Sequence, residues 1–279
     1  MSAALAQLAD VTRGFNAVEL EELVTDAALL TRVDRKYVVP ASDAAHIVGM
    51  VDPDTRVLDI DGERSFGYAS VYFDTPDRVS YHLAAQPRRR RFKLRTRAYL
   101  SSGTAYLEMK TRGGRGATVK DRIPYDIADI ERLTATGREY VGAALDAIGL
   151  DSELVHAMTP TLTTRYQRMT LLAPGGSRAT VDTALDWIDA DGECVSLPDH
   201  VIIESKSAGP ATEFDRALWR KGHRPQGISK FGTGTAALHP ELPSNKWARL
   251  LRGPFADTRS LTIPPAAHHL TPDTQENHS

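Results

Sequence analysis

The middle of the chain alternates between hydrophobic and polar residues, which is the pattern of strands that bury one face. Glycine, proline and serine separate the alternating segments, as expected of turns. The predicted strands cover residues 65–74, 88–100, 104–112, 117–126, 160–172, 177–188 and 199–207. Helical spacing predicts helices over residues 16–30, 41–50, 76–85, 127–149 and 211–222. The chain is therefore expected to fold around a sheet with helices beside it.

The alternation sorts charged residues onto one face of the predicted strands. Phe92 and Leu94 fall on one face, whereas Lys93, Arg95 and Arg97 fall on the other. The same alternation groups Glu108 with Lys110, Tyr166 with Arg168, Arg178 with Thr180 and Asp182, and Glu204 with Lys206. Each strand thus carries a basic face with at most one or two carboxylates.

Two arrangements would give so many strands a charged face. One is a sheet with an open, solvated face, and the other is a closed barrel with a polar lumen and helices outside. Arginine and lysine dominate these faces, and arginine is the residue of bidentate phosphate recognition. A closed basic lumen would be unfavourable without a counter-anion, so that arrangement would imply an anionic ligand.

The charge distribution along the chain is uneven, although the 279 residues carry a formal net charge of only −2. Residues 88–122 hold a local net charge of +10, which leaves −12 for the rest. A basic block inside an acidic chain indicates a polyanionic ligand, either phosphate or nucleic acid, or else a solvated charged face. Aromatic residues make up 7%, and no stacking array is interleaved with the basic residues. We therefore expect no nucleic-acid ligand.

The few carboxylates among these cations, Glu204, Glu108 and Asp182, have two possible roles. As hard oxygen ligands they could hold Mg²⁺ or Mn²⁺, which bridge phosphate oxygens and usually keep several waters. Alternatively, they offset the charge of neighbouring lysine and arginine residues. The pattern favours the metal role for Glu204 and leaves both roles open for the other two.

Eight short motifs, in order along residues 28–235, resemble the VTC domain, the polyphosphate polymerase domain. They are RVDRKY (32–37), SVYFDT (70–75), KLRTR with Tyr99 (93–99), LEMK (107–110), YQR (166–168), RATVD (178–182), IESK (203–206) and ISKF (228–231). That family belongs to the triphosphate tunnel metalloenzymes of the CYTH-like superfamily. The resemblance implies an α+β fold with an antiparallel eight-stranded β-barrel, a basic tunnel as its lumen, and flanking helices.

The resemblance also implies the site residues. The cations that would grip nucleotide and polyphosphate oxygens are Lys36, Arg95, Arg97, Lys110, Arg168, Arg178 and Lys230. Further phosphate-binding candidates are Lys93, Tyr166, Lys206, Ser229 and Arg32. Glu204 would hold the divalent metal, with Glu108 and Asp182 as the other metal candidates.

Two positions depart from the family pattern. Arg32 and Asp34 stand where tunnel triphosphatases carry paired glutamates, which disfavours a hydrolytic two-carboxylate site. Gly227 lies two residues before Ser229, where polymerase members can carry a further lysine.

The expected function is an ATP:polyphosphate phosphotransferase, which transfers the γ-phosphoryl group of ATP to a growing inorganic polyphosphate chain with Mn²⁺ or Mg²⁺. A tunnel triphosphatase and a non-catalytic sensor of polyphosphate or inositol phosphates are the alternatives. Full-length eukaryotic relatives couple this domain to membrane translocation, so a membrane-protein partner for export is a further expectation.

The domain organisation is expected to be simple. Residues 1–27 are predicted as an N-terminal helical segment, 28–252 as the tunnel domain, and 253–279 as a disordered tail. No apolar run approaches the roughly 20 residues of a membrane span, and the first residues lack the basic region of a signal peptide. A single cysteine, Cys194, cannot form an internal disulfide. We therefore expect a cytoplasmic protein.

Overall fold

The computed structural model describes residues 2–25, 33–112, 118–256, 258 and 260–262. The helices are α1 (Ala3–Arg13), α2 (Leu20–Thr25), α3 (Ala41–Val48), α4 (Val79–Ala85), α5 (Ala135–Asp146), α6 (Glu213–Arg220), α7 (Lys230–Leu238) and α8 (Ala248–Leu251). The strands are β1 (Asn16–Val18), β2 (Val33–Pro40), β3 (Arg56–Leu58), β4 (Phe66–Asp74), β5 (Arg91–Tyr99), β6 (Thr104–Arg112), β7 (Thr118–Tyr125), β8 (Thr159–Leu172), β9 (Arg178–Asp189), β10 (Glu193–Leu197), β11 (His200–Ser207) and β12 (Ser260–Thr262).

The centre of the fold is an antiparallel sheet with the strand order β7–β6–β5–β4–β8–β9–β11–β2. The first half of β9 pairs with β11, and its second half pairs with β10. A bulge in the pairing of β8 with β9, where Ala184 adopts a positive φ of 48°, separates the two halves. The predicted mixture of helices and a large antiparallel sheet is confirmed.

In the part of the chain that the structure describes, the sheet is not closed, so the predicted eight-stranded barrel fits only roughly. Within the described residues no ladder joins β2 to β7, and each of these strands has one neighbour in the sheet. The segment before α7 runs along the free edge of β2 instead, where the backbone N–H of Gln226 donates to the carbonyl of Lys36 at 2.7 Å. The sheet therefore curls around a space that irregular chain helps to close.

The two faces of the sheet differ as the alternation predicts. Along β5, every second residue from Phe92 to Ala98 is buried, and the intervening residues are partly exposed. In the half of the sheet that contains β2, β9 and β11, the buried face packs against α1, α3 and α6. In the half that contains β5 and β6, it packs against α4 and α5. We call the opposite face, which carries Lys36, Arg95 and Arg168, the inner face.

Helix α7, which the sequence pattern does not predict, packs inside the curl. Its Phe231 lies 5.2 Å from the ring of Tyr72 on β4, measured between ring centroids. Two glycines permit this fit, because a Cβ at Gly232 would overlap the ring of Trp247 and one at Gly234 would overlap the ring of Trp187. An apolar cluster around α7 therefore fills one end of the curled sheet.

Gly234→Ala is expected to destabilise the fold by about 3 kcal/mol, because Trp187 is fully buried and cannot move aside. The measurement is the melting temperature, which should fall by several degrees. Gly227→Ala is the matched control, since no atom lies near the position of its added methyl group. Equal melting temperatures for the two variants would contradict the tight packing of α7.

The ends of the chain follow the prediction only in part. Helix α2 falls inside the predicted helix 16–30, but residues 16–18 form β1, which pairs in parallel with β3. Residues 26–32, and therefore Arg32, lie outside the described residues. In the predicted tail, β12 pairs with β10, and residues 263–279 are not described. None of the helices in the described residues has the length and apolar character needed to cross a bilayer.

Candidate functional site

The inner face brings most of the predicted site residues together. Lys93 lies opposite Lys110, and Arg95 opposite Glu108, in the register of β5 and β6. In the other half of the sheet, Arg168 lies opposite Asp182, and Lys36 opposite Glu204. Because the sheet curls, the charges of Lys36 and Lys110 act on each other across the enclosed space. We call this space, bounded by Lys36, Lys93, Arg95, Lys110 and Arg168, the basic tunnel.

Glu108 is held between two arginines of β5. Its Oε2 accepts hydrogen bonds from Nε and Nη2 of Arg95 at 2.8 and 2.6 Å, and its Oε1 lies 3.7 Å from Nη1 of Arg97. Nη1 of Arg95 donates to the hydroxyl of Tyr72 at 3.0 Å. Burial opposes the charge of Arg95, but Tyr72 and Glu108 outweigh it and raise its pKa. Arg95 is therefore a fixed cation.

Asp182 is held between Arg168 and Lys230, and its side chain is 1% exposed. Nε and Nη2 of Arg168 donate to its two oxygens at 2.6 and 2.8 Å, and the ammonium group of Lys230 also pairs with Oδ2. Burial opposes ionisation of Asp182, yet the charges of Arg168 and Lys230 lower its pKa to about 2. This carboxylate is therefore ionised throughout the physiological range.

Glu204 is held more loosely between two lysines. Its Oε1 lies 2.8 Å from Nζ of Lys36 and 3.7 Å from Nζ of Lys206. Burial opposes its ionisation, but the charges of Lys206 and Lys36 hold its pKa well below the usual range. The three candidate carboxylates thus share one arrangement, in which each compensates two cations.

Lys93 has no such compensation. It lies directly opposite Lys110, and no carboxylate of the described residues forms an ion pair with it. Burial, followed by the charge of Lys110, lowers the pKa of Lys93 to about 7. Burial and the charge of Lys36 also lower the pKa of Lys110, whereas the charges of Asp34 and Glu204 oppose that shift. Like charges placed opposite each other on a sheet are unfavourable, and an anion between them would remove the repulsion.

We expect the ligand-free protein to gain stability as the pH rises from about 7 to 9. The pKa of Lys93 is about 7 in the folded chain, against about 10.4 for an exposed lysine. Between these values the unfolded chain binds the proton and the folded chain does not, so stability rises with pH. Thermal denaturation across this range measures the slope. An equal slope in Lys93→Met would show that Lys93 is not its cause.

The N-terminus of α7 delivers two further predicted residues to the tunnel. Ser229 is its N-cap, and its Oγ accepts hydrogen bonds from the N–H of Gly232 at 3.1 Å and from Nζ of Lys93 at 2.6 Å. Nζ of Lys230 lies 4.1 Å from the centre of the Tyr166 ring. The positive end of the helix dipole adds to the potential of these cations. Helix α7 therefore both fills one end of the curl and completes the basic site.

The inner face carries a row of tyrosines that was not predicted, because the sequence shows no aromatic array among the basic residues. The Tyr68 ring stacks on the Tyr166 ring at 5.3 Å, and it lies 5.0 Å from the ring of Tyr99, which in turn lies 6.0 Å from the ring of Tyr106. The alternation does contain the signal, because Tyr99 continues the basic face of β5 by one step. The prediction failed because the four tyrosines come from four different strands.

The tyrosine row orients the arginines of the tunnel. The guanidinium carbon of Arg168 lies 5.2 Å from the centroids of both Tyr68 and Tyr166. Arg97 lies 6.0 Å from the centroid of Tyr68. Cations over aromatic faces are attracted to them without losing their charge. The guanidinium groups therefore keep a fixed orientation as well as a positive charge.

Several buried polar atoms of the inner face have no hydrogen-bond partner among the described residues. They are Ser70 Oγ, Arg97 Nε, Thr164 Oγ1, the Tyr166 hydroxyl and Thr180 Oγ1. Ser70 lies opposite Arg97 on one side and opposite Thr164 on the other, and both hydroxyl residues are 1% exposed. Buried polar groups are nearly always paired. These atoms are therefore suited to pair with the oxygens of water or of a bound ligand.

The remaining predicted residues lie nearer the rim or outside the description. Arg178 lies opposite Lys206 in the register of β9 and β11, but its Nη1 donates to the backbone carbonyl of Leu23 at 3.0 Å. Arg178 therefore anchors α2 and does not lie free in the tunnel. Burial lowers the pKa of Lys206, whereas Glu204 opposes the shift. Arg32 lies outside the described residues.

The carboxylates differ in how well they could hold a metal ion. Both oxygens of Asp182 are taken by Arg168 and Lys230, so it fits the role of charge compensation. Glu204 is more accessible, with a side chain 16% exposed against 1% for Asp182, and fits a divalent cation that takes its other ligands from water and phosphate. No group of three metal-ligating acidic, histidine or cysteine side chains occurs among the described residues.

Comparison with known proteins adds one strong match. A family model described as the VTC domain matches residues 31–239, which is more than half of the chain. No protein with a curated description matches the sequence. Among solved structures, a Hippeastrum protein with a dominant triphosphatase activity is similar at a TM-score of 0.49 and 16% identity, with 74% of this chain and 96% of that chain covered. A Pyrococcus horikoshii protein is similar at a TM-score of 0.43 and 12% identity, with 75% and 99% covered.

Proposed function

This chain belongs to the VTC domain family, and from that premise we propose that it extends inorganic polyphosphate with the γ-phosphoryl group of ATP. The family supports a function on polyphosphate or triphosphate, and the polymerase reaction is our proposal within that range. The bond between the β,γ-bridging oxygen and the γ-phosphorus breaks. A new bond forms between that phosphorus and the terminal oxygen of the polyphosphate chain, and ADP leaves.

The observation that carries the proposal is the pair of Lys93 and Lys110, which face each other in the basic tunnel. Glu108, Asp182 and Glu204 each already compensate two other cations, and no described carboxylate pairs with Lys93, so a bound anion would balance its charge. A phosphate chain presents a negative charge on each unit and would pass several cations in turn. A single small anion would leave some of these cations without a counter-charge.

The geometry suits phosphoryl transfer, which requires alignment and neutralisation of charge and little covalent participation by the protein. Arg95 is fixed by Glu108 and Tyr72, and Arg168 is fixed by Asp182 through Nε and Nη2. Nη1 of Arg168 has no partner among the described residues and would donate to a phosphate oxygen. Such preorganised donors stabilise the charge that develops on the transferred group.

The acceptor needs no strong general base, because the end of a polyphosphate chain is already an anion. Lys93 and Ser229, joined at 2.6 Å, would hold its oxygens beside Lys110. Mg²⁺ or Mn²⁺ held at Glu204 would offset the charge of the nucleotide phosphates and help to align them.

The test is to incubate the purified protein with ATP and Mn²⁺ or Mg²⁺, and to analyse polyphosphate on a gel while ADP is quantified. The proposal expects a ladder of lengthening chains, with one ADP released for each phosphate added. Orthophosphate without chain growth would instead identify a triphosphatase. Tight binding of polyphosphate without ADP release would identify a sensor, and either result would contradict the polymerase reaction.

A further inference from the structure

We propose that the arginine patch, defined as Arg88–Arg91 with Arg112 and Lys246, binds the part of a polyphosphate chain that extends beyond the basic tunnel. This inference rests on the proposed function, since it assumes that the tunnel holds phosphate. It adds a second, external site on the surface of the fold, whose ligand is a long linear polyanion.

The patch continues the cation row of the tunnel. Arg91 is two residues from Lys93 on β5 and therefore points to the same face of the strand. Arg91 lies opposite Arg112, one step beyond the pair of Lys93 and Lys110 in the register of β5 and β6. The row of inner-face cations thus runs from Arg95 through Lys93 to Arg91 without a change of sign.

Lys246, from the turn before α8, joins the row from outside the sheet. Its charge acts both on Lys93 inside the tunnel and on Arg91 at the rim. Its Nζ donates to the backbone carbonyl of Ala84 at 2.6 Å, which holds the ammonium group beside the end of α4. A continuous field of positive charge therefore links the tunnel to the surface.

Arg88, Arg90 and Arg91 bond to neutral groups, and no described carboxylate pairs with them. Nη2 of Arg88 donates to the amide oxygen of Gln86 at 3.1 Å, and Nη1 of Arg90 donates to the carbonyl of Gly149 at 3.3 Å. Surface cations commonly have carboxylate neighbours, as Arg13 has Asp10 in α1. The patch instead keeps its charge available for an external anion.

The surface at the patch is a groove of about 530 Å³, lined by Arg88, Arg89, Arg90, Leu83 and Leu150. An open groove with several guanidinium groups along it fits an extended chain better than a compact ligand. Arg90 of the groove adjoins Arg91 of the tunnel row at the start of β5, and this link favours polyphosphate over an anionic membrane surface or a nucleic acid. Those two ligands would need no connection between the patch and the tunnel.

The test compares the binding of long-chain polyphosphate and of tripolyphosphate to the full chain, at several salt concentrations. In the triple variant Arg88→Gln, Arg89→Gln, Arg90→Gln, we expect the affinity for the long chain to fall about tenfold, and its salt dependence to become weaker by about two to three counterions. The affinity for tripolyphosphate, which we expect to bind within the tunnel, should not change. All three substituted side chains are exposed, so the fold should be retained.

The matched control removes three exposed cations from α6 and the residue after it, through Arg216→Gln, Arg220→Gln and Lys221→Gln. Helix α6 packs on the part of the sheet formed by β2, β9 and β11 and not on β5. We expect this control to bind both ligands almost as the wild type does. An equal loss of affinity in the control would show that the effect depends only on the net charge of the protein, and it would overturn the proposal.

Two other results would also overturn the proposal. In the first, the triple variant binds long-chain polyphosphate as tightly as the wild type does but no longer binds vesicles of phosphatidylcholine and phosphatidylserine. That result would assign the patch to a membrane surface. The other is an equal loss for tripolyphosphate and the long chain, which would place the arginines in the tunnel site. Failure of the wild type to bind tripolyphosphate at all would instead contradict the proposed function.

Discussion

Lys93→Met is expected to weaken the binding of tripolyphosphate about a hundredfold, and to leave the protein at least as stable as the wild type at neutral pH. The ammonium group of Lys93 faces Lys110 without a carboxylate to balance it, so its charge is unfavourable in the free protein. The same charge would form a charge-assisted hydrogen bond to a phosphate oxygen, and such bonds are among the stronger ones in proteins. Isothermal titration calorimetry and thermal denaturation measure the two effects.

The opposite signs of these two effects separate a binding role from a structural role. A lysine that served the fold alone would lower stability when replaced and would leave tripolyphosphate binding nearly intact. Lys221→Met is the matched control, since Lys221 is exposed at the end of α6. A loss of affinity no larger than in this control, or a clear loss of stability at neutral pH, would contradict the role of Lys93.

Glu204→Gln should reduce the metal-dependent turnover of ATP at least about a hundredfold, while metal-free binding of tripolyphosphate stays the same or becomes tighter. The substitution keeps the size of the side chain and removes the oxygen charge that a divalent metal needs. It also frees Lys36 and Lys206 from their shared carboxylate, which adds positive charge to the tunnel. Turnover is followed across a range of Mn²⁺ concentrations, and binding is measured with a metal chelator present.

Asp182→Asn is the informative comparison for Glu204→Gln. Asp182 is buried and bonded to Arg168 and Lys230, so removing its charge should lower the melting temperature as well as turnover. Glu204 is more accessible, and we expect its replacement to lower the melting temperature less than Asp182→Asn does. Wild-type turnover and Mn²⁺ dependence in Glu204→Gln would exclude Glu204 as the metal ligand.

The strands of the inner face could be predicted because their signal is local. β5 and β6 alternate over nine residues each, and Gly103, with a positive φ of 63°, turns the chain between them where a short hairpin turn is predicted. Alternation also assigns each charged side chain to a face, and this assignment is confirmed along β5, β6 and β11. Closure of the barrel is not a local property, because it depends on whether β2 and β7 meet.

Elements that depend on distant partners escaped the sequence analysis. Helix α7 contains two glycines and two threonines, which are poor helix formers, and it is buried on several sides, so it has no polar stripe. Packing against Trp187 and Trp247 determines its conformation. Similarly, Asn16–Val18 forms a strand and not a helix because it pairs with β3.

The members of the site could be predicted, but their pairing could not. Sequence spacing identifies the cations and the carboxylates, whereas the partners of Glu108, Asp182 and Glu204 follow from strand register and from the position of α7. Only those pairings show that Lys93 is left without a carboxylate partner among the described residues. The patterning alone therefore indicates a basic surface, and the structure locates the place within it where an anion is needed.

A carbon-13 NMR titration of the lysine Cε signals tests the anion site most directly, with Lys93 assigned by comparison with Lys93→Arg. In the ligand-free protein, Lys93 should titrate with a pKa of about 7. With saturating ADP or long-chain polyphosphate, its pKa should rise by roughly two units or more, because the bound phosphate favours the charged ammonium. A pKa near that of an exposed lysine in the free protein, or one that does not change on ligand addition, would contradict the account.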